Sequence, residues 1–414
     1  MRVAHIITRM IVGGAQENTL LNCLDLIGTY GDDVLLITGP AIGPEGDLLR
    51  QGRGVESPPA VKNTAPPAVE NTVPLAYVPA LRRSIHPWRD AASYRSIKRI
   101  LVEFQPDVVH THSAKGGFLG RLAAWSLKVP AIVHTVHGAP FHPFQSVVPR
   151  TVFRWCERYA ARRCHAIISV ADAMTDLMVK AGVAPRDKFS TIHSGMDVEP
   201  FLHADDARAR VRQELGYSPD DIVIGKIARL FHLKGHDDVI AAATEVIRKN
   251  SLVRFLFIGD GLLRDKLQQQ IDAAGLHAHF QFTGLVPPAK IPELLGAVDI
   301  LAHASLREGL ARALPQALIA GKPVVSYDVD GAREVCITGQ TGCLIPPRDI
   351  NALAAALTQL AGDASLRHQL GSTGRSRFAD QFRHETMTRR VREVYERVLG
   401  NQRRRDGETE RRRD

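Results

Sequence analysis

Glu308 and Gln316, an acid and an amide eight positions apart, carry the clearest chemical signal in this chain. Glu308 is followed by Gly309 and Leu310 and stands directly before an apolar segment, in SLREGLARALPQALIAGKPVV. Read as helix, eight residues span about 12 Å and return to nearly the same face, the reach needed to grip two ends of one extended ligand. The pattern predicts Glu308 at the helix N-terminus, where unpaired N–H groups and the macrodipole favour anions. A phosphate-bearing ligand is therefore expected, with a carboxylate aimed at it.

Cations suited to such a ligand follow another apolar run. Arg229 and Lys234 belong to ARLFHLKG, Ala228–Gly235. Two positive side chains on one loop suit a diphosphate that gains charge as it leaves. Taken singly, each reads as a solvated loop charge. Gly13 and Gly14 of GGAQ lie between an expected strand and helix, and paired glycines let a backbone approach phosphate or sugar closely. They do not make a dinucleotide fingerprint. Nor does IGDGLLRD at Ile258–Asp265, where Arg264 stands in place of the third glycine. His110, His112 and Lys115 of VVHTHSAKGG, His137 of TVHG and Glu334 of DGAREV also follow or end apolar runs. The seventeen histidines show no metal-ligand spacing, and the YDVD run, Tyr327–Asp330, reads as part of a loop. No metal and no cofactor are expected.

The elements that must position these residues form two successive patterns of short apolar runs alternating with helical segments. Expected strands in the first half are Val3–Thr8, Val34–Thr38, Leu75–Val78, Val108–His112, Ile132–Val136, Ala166–Val170 and Ser190–His193, with helices such as Gln16–Leu26, Gly117–Ser126 and Arg150–Arg163 between them. The second half repeats the scheme with Val223–Ala228, Arg254–Ile258, Phe280–Phe282, Ile300–His303, Pro323–Tyr327 and Cys343–Ile345. Such alternation argues for α/β domains, each a parallel sheet covered on both faces. A chain of 414 residues exceeds one core, and a polar, turn-rich break near Gly195–Asp206 divides it.

Composition narrows the classes. The apolar fraction of 44% and charged fraction of 23% are those of a globular protein, and no apolar run is long enough to span a membrane. Five scattered cysteines without a CxxC pair fit a reducing cytoplasm. The charge of +9 comes with no nucleic-acid-binding motif, so nucleic acid is not an expected partner. Arg150, Arg154, Arg158, Arg162 and Arg163 recur at helical spacing. Their simplest reading is a solvated face; the sharper one is a surface for anionic lipid or a phosphorylated acceptor. Residues 57–74 hold a Pro-rich tandem, PPAVKNT and PPAVENT, read as a loop insertion.

In this order, GGAQ, ARLFHLKG, FIGDG, SLREGLARALPQALIAGKPVV and DGAREV resemble the retaining glycosyltransferases of the GT-B fold, family 4. The resemblance covers about Val3 to Leu399. It implies two facing Rossmann-like doubly wound domains with a cleft between them. Residues 1–198 would form the acceptor-side domain and 199–375 the nucleotide-sugar-binding domain. Residues 376–400 would be a helix packing back on the first domain, and 401–414 a disordered Arg-rich tail. It further implies a nucleotide-sugar donor (UDP- or GDP-linked), a lipid-linked or polysaccharide acceptor, and no metal.

Residue by residue, Arg229 and Lys234 match the family's diphosphate-binding pair. Glu308 matches the first acid of its E-x7-E motif, beside Gly309 and Leu310. Gly13 and Gly14 match the N-terminal loop at the donor phosphate, His137 a histidine near the reaction centre, and Glu334 a loop acid near the donor. His110, His112 and Lys115 are candidates for acceptor contact. Gln316 departs from the pattern: the family has a second acid there, holding the ribose hydroxyls. An amide keeps one acceptor oxygen but loses the charge. A weakened nucleotide-sugar-binding protein and a GT-B sugar-nucleotide epimerase are the alternative readings. The expected location is cytoplasmic, or peripheral at the inner face of a membrane.

Overall fold

The structure is a computed structural model and describes residues 1–42, 46–49 and 72–410. The Pro-rich tandem lies almost wholly outside the described residues, as do residues 411–414. The chain divides into two compact units, one made of Met1–Met196 with His384–Asp414, the other of Asp197–Arg383.

The first unit holds seven strands: β1 (Arg2–Arg9), β2 (Asp33–Gly39), β3 (Leu75–Tyr77), β4 (Val108–His112), β5 (Ala131–Val136), β6 (Ala166–Ser169) and β7 (Phe189–Thr191). They pair in parallel in the order β3-β2-β1-β4-β5-β6-β7. The second unit holds β8 (Ile222–Ile227), β9 (Val253–Ile258), β10 (Phe280–Phe282), β11 (Ile300–His303), β12 (Val324–Tyr327) and β13 (Gly342–Ile345). These are parallel too, ordered β10-β9-β8-β11-β12-β13. Both units are therefore the doubly wound α/β architecture that the alternating runs predict. Strand order reverses at β1/β4 and at β8/β11, and crevices for ligands open at the carboxyl ends of such strands.

Near-continuous Val and Ile runs form the central strands because both sheet faces are covered. In the first unit, Val3, Ile7, Val108 and Val133 pack under Leu20, Cys23 and Leu26 of the helix Gly14–Gly28. Met387, Val391, Val394 and Tyr395 of the last helix, His384–Glu410, complete that layer. Polar contacts set the register between the two helices. Thr388 donates to Asp25 at 2.6 Å, His384 Nδ1 lies 2.9 Å from the same carboxylate, and Asn22 donates to Thr388 at 3.0 Å. This last helix starts eight residues after Ser376 and runs to Glu410, taking in most of the segment expected to be a disordered tail. Once the packed portion has nucleated, each further residue adds a hydrogen bond at little extra cost. In the second unit, Val239, Ala243 and Val246 of the helix His236–Lys249 bury against Phe255, Phe257 and Leu357. All five cysteines are free thiols.

Candidate active site

In the second unit three loops leave the adjacent strands β8, β11 and β12 and are tied together. The Leu306 N–H donates to the Leu233 carbonyl at 2.8 Å, joining the first loop to the second. The Glu308 N–H donates to Oδ2 of Asp330 at 2.7 Å, and the Gly331 N–H to the Gly309 carbonyl at 3.0 Å, joining the second to the third. Gly235 closes the first loop at φ +67°, where a Cβ would fall 1.8 Å from the Ala304 carbonyl oxygen. Only glycine allows that approach.

These ties bring Lys234 to Glu308: Nζ lies 2.5 Å from Oε1. Nε2 of His303, the last residue of β11, lies 3.7 Å from the same oxygen. Burial works to raise the Glu308 carboxyl, but the Lys234 ammonium outweighs it and holds the group below the usual carboxylate range. Burial pulls His303 down to about 3, so it is a neutral imidazole at pH 7. Beneath the pair sits Lys226 of β8, 1% exposed, its Nζ without a hydrogen-bond partner among the described residues. Burial, reinforced by the charge of Lys234, lowers its ammonium to about 7. His236 is also buried, and burial lowers it to about 2.

Several sequence expectations change here. Glu308 is not at a helix N-terminus. The helix is only Ala313–Ile319, capped at Arg312, so Glu308 stands in a loop and the 12 Å helical spacing to Gln316 does not apply. What orients Glu308 is the Asp330 carboxylate holding its backbone and Lys234 holding its side chain. Gln316 is half-buried within that short helix. Arg229 lies in the first loop with its guanidinium carbon 5.0 Å from the Phe231 ring centre. Glu334 ends the 3-10 turn Asp330–Glu334, on the same third loop as Asp330. The acids of YDVD are separately engaged: Asp328 binds Arg333 through two hydrogen bonds of 2.9 and 2.7 Å, while Asp330 holds the Glu308 N–H.

In the first unit, Gly13 caps the helix Gly14–Gly28, and its carbonyl accepts from the Gln16 and Glu17 N–H groups. That helix start follows β1, beside the β1/β4 crevice. His137 follows the last residue of β5, and its Nε2 lies 3.1 Å from Nδ1 of His112. His110 and His112, expected as acceptor contacts, are each 1% exposed and bonded inside the unit. His110 pairs with Tyr395 Oη at 2.5 Å and with Thr135 Oγ1 at 2.7 Å, and His112 pairs with His5 and His137. Strand alternation puts both on the same face of β4, and His110 lies against Tyr395 of the last helix. Lys115 is held by Asp90 at 2.6 Å and by the Ser84 carbonyl. Ring nitrogens of His5, His110 and His112 come within 4.8 Å of one another, the one group of metal-ligand type among the described residues. Both nitrogens of His110 are taken by Tyr395 and Thr135, and those of His112 by His5 and His137, so the group is a hydrogen-bonded cluster.

Sequence reading missed Lys226, His303 and Asp330 as site residues, and His5 within the first strand. A signal existed for three of them. A lysine or histidine inside an otherwise apolar strand, as in IVIGKI, ILAH and VAHII, must be either edge-exposed or buried for a purpose.

Residues 207–377 match the family described as glycosyl transferases group 1, and residues 29–195 the glycosyl transferase 4-like domain. The UDP-Gal:alpha-D-GlcNAc-diphosphoundecaprenol alpha-1,3-galactosyltransferase of Escherichia coli is 30% identical over 293 residues, 70% of this chain and 75% of that enzyme. The putative glycosyltransferase EpsD of Bacillus subtilis is 30% identical over 305 residues, 71% of this chain and 78% of its own. The crystal structure of Anabaena HepE in complex with UDP-glucose shares the fold with a TM-score of 0.76, covering 95% of this chain and 99% of that one at 22% identity. Two Rossmann-like units, the joined loops after β8, β11 and β12, and these matches lead to one assignment: the chain belongs to the group 1, family 4 type glycosyltransferases of the GT-B fold, enzymes that transfer hexosyl groups from nucleotide-sugars.

Proposed function

We propose that this enzyme transfers a hexosyl group from a UDP-sugar to a lipid-linked saccharide, with retention of configuration and without a metal ion. The observation that carries the reading is the Lys234–Glu308 pair, set at the carboxyl ends of β8 and β11 where the strand order reverses. Arg229 and Lys234 bind the donor diphosphate, Glu308 the sugar hydroxyls near the anomeric carbon, Gln316 the ribose, and Glu334 a neighbouring donor group. In the first unit, Gly13, Gly14 and His137 keep the donor-side roles that the family resemblance implies. Lys234 pairs with Glu308; a diphosphate on the same ammonium competes for it and frees the carboxylate for the sugar.

In the transfer step the bond from the anomeric carbon to the diphosphate oxygen breaks as the acceptor oxygen bonds to the same face of that carbon. The acceptor proton passes to the departing diphosphate, whose charge the two cations stabilise. The Escherichia coli relative, whose name specifies UDP-Gal and a diphosphoundecaprenol acceptor, supports this choice of donor and acceptor.

A lipid-linked acceptor calls for a membrane-facing surface. The helix Val147–Ala161 exposes Val147, Val148, Val152 and Trp155 beside Arg154, the mixture of apolar and cationic side chains that suits an anionic interface. Among the described residues no helix is long and apolar enough to cross a membrane. The deciding experiment incubates the protein with UDP- and GDP-sugars and a polyprenyl-diphosphate-linked amino sugar. The expected product, identified by mass spectrometry and anomeric NMR, is an α-linked glycoside from an α-linked UDP-sugar. A new sugar-nucleotide instead of a glycoside, or no turnover with any donor, rejects the proposal.

A further inference from the structure

Five nitrogens in the second unit are buried without a hydrogen-bond partner among the described residues: Nζ of Lys226 and both ring nitrogens of His236 and of His303. Lys226 is the penultimate residue of β8 and is registered with Phe257 of β9. The His236 ring meets that phenyl ring edge-on at 5.2 Å. His303 ends β11, the strand on the other side of β8, with Nε2 3.7 Å from Oε1 of Glu308. All three side chains feel the charge of Lys234, which holds that same oxygen. Interiors rarely leave polar atoms unpaired, so an amine kept this way under an ion pair calls for a reason beyond packing.

Charge has few places to go in this cluster. The groups that face Lys226 are Lys234 on the loop after β8, Glu308 on the loop after β11, His303 on β11, and His236 and Asp238 on the helix His236–Lys249. Asp238 accepts from the Tyr327 hydroxyl at 2.9 Å and not from Lys226. Burial lowers His303 to about 3 and His236 to about 2, so neither imidazole carries charge at neutral pH. Burial and the Lys234 ammonium lower Lys226 only to about 7, so it alone of the three exchanges a proton near neutrality. Moving the Lys234 ammonium onto a diphosphate draws a like charge away from Lys226, bares the Glu308 carboxylate and brings phosphate charge nearby. All three changes favour the protonated amine.

We propose that Lys226 is a positioning residue that succeeds Lys234 as the counter-cation of Glu308. When a nucleoside diphosphate draws the Lys234 ammonium to itself, the Lys226 amine binds a proton from solvent and keeps the freed carboxylate ionised. The Nζ lone pair forms the new N–H bond, and no other covalent bond of the protein changes. Donor binding is thereby coupled to proton uptake. A proton taken up on binding strengthens the complex as pH falls, so apparent affinity weakens by up to about tenfold per pH unit above 7. The donor half of this inference rests on the proposed role of Lys234; the charge exchange between the two lysines does not.

Two measurements on the full-length protein test it. The first is 1H–13C correlation NMR of the lysine Cε groups, with Lys226 assigned through Lys226→Met, in wild type and in Lys234→Ala. Lys226 is expected to titrate near pH 7 in wild type and to bind its proton at least about tenfold more tightly in Lys234→Ala. The second is calorimetric titration with UDP at pH 8 in HEPES and in Tris, whose different heats of ionisation report proton uptake. Wild type should take up about 0.5 to 1 proton per UDP, and Lys226→Met less than about 0.1. UDP affinity should fall about tenfold from pH 7.5 to 9 in wild type and stay within about twofold in Lys226→Met. A Lys226 that is charged at pH 8 in wild type, or that titrates alike in both proteins, overturns the inference. UDP binding without proton uptake in wild type, or with equal uptake in Lys226→Met, overturns it too, even if Lys234→Ala does not fold. If wild type binds no UDP while Lys226 shifts in Lys234→Ala, the donor reading falls and the exchange between the lysines stands.

Discussion

Lys234 Nζ stands 2.5 Å from Glu308 Oε1, although 74 positions separate them in the chain. The pair has a consequence for catalysis that burial alone would not have. Each partner is about one-fifth exposed, so an incoming diphosphate can reach the lysine without unfolding the loops. Lys234→Ala should therefore lower kcat for donor cleavage by about 10²- to 10³-fold, the usual effect of deleting a group that stabilises a leaving charge. Acceptor KM should move by less than about threefold. Comparable losses in both constants would remove Lys234 from the diphosphate.

Gln316→Glu restores a carboxylate at the expected ribose contact. Hydrogen bonds from the ribose hydroxyls to a charged acceptor are stronger than those to an amide. Isothermal titration with UDP should show roughly tenfold tighter binding, about 1.4 kcal/mol. An unchanged Kd would place the ribose elsewhere.

Lys226→Met tests what the buried amine does to stability. With its native pKa near 7 against 10.5 unfolded, Lys226 is neutral in the folded state and charged in the unfolded state between those values. The unfolded state then binds more protons, so this group lowers stability as pH falls from 10.5 to 7, by at most about 5 kcal/mol. The methionine variant should be more stable than wild type at pH 7, with the gap closing toward pH 10. Urea midpoints across that range measure it, and a pH-independent gap would mean the amine is charged in the native state.

Acid should open the first unit early. His5, His110, His112 and His134 are all lowered by burial, so between the usual histidine range and their native values the unfolded state holds protons that the native state refuses. Stability present above pH 6.5 is then lost as pH falls, at up to about 5 kcal/mol per pH unit for four such groups. Trp88, Trp125 and Trp155 are the only tryptophans in the chain and all lie in this unit, so their fluorescence reports it alone. A flat urea midpoint between pH 7 and 5.5 would contradict the neutral cluster.

Trp155→Glu tests the proposed membrane-facing surface. Trp155 is 60% exposed on the helix that also exposes Val148 and Arg154, so an acid there adds charge repulsion and removes an apolar anchor. Cosedimentation with phosphatidylglycerol vesicles should drop about tenfold, with phosphatidylcholine vesicles binding weakly throughout. Equal binding of variant and wild type, or no binding by wild type, would reject the proposed surface on this helix.

Much of this molecule was legible before its structure. Ile300–His303 and Phe280–Phe282 were read to the residue, because a buried parallel strand is a short apolar run with turn residues at its ends. The motifs fall on the loops after β8, β11 and β12 that the structure ties together at the carboxyl ends of the strands. Helix boundaries were less legible. Glu308 looked like a helix start, yet the Ala311–Pro315 segment turns helical only from Ala313, after the loop has been pinned by Asp330.

By itself, then, the sequence determined the two doubly wound units, the family and the residue types available for chemistry, all of which are written in local periodicity and short motifs. Tertiary structure alone decided which of those residues meet. His5 and His112 are 107 positions apart and Lys234 and Glu308 are 74, distances over which no periodicity acts. Strand order and loop ties close those gaps. Burial then sets the charges: it leaves the histidines neutral, lowers Lys226 to about 7 and makes Lys234 the partner that keeps Glu308 ionised.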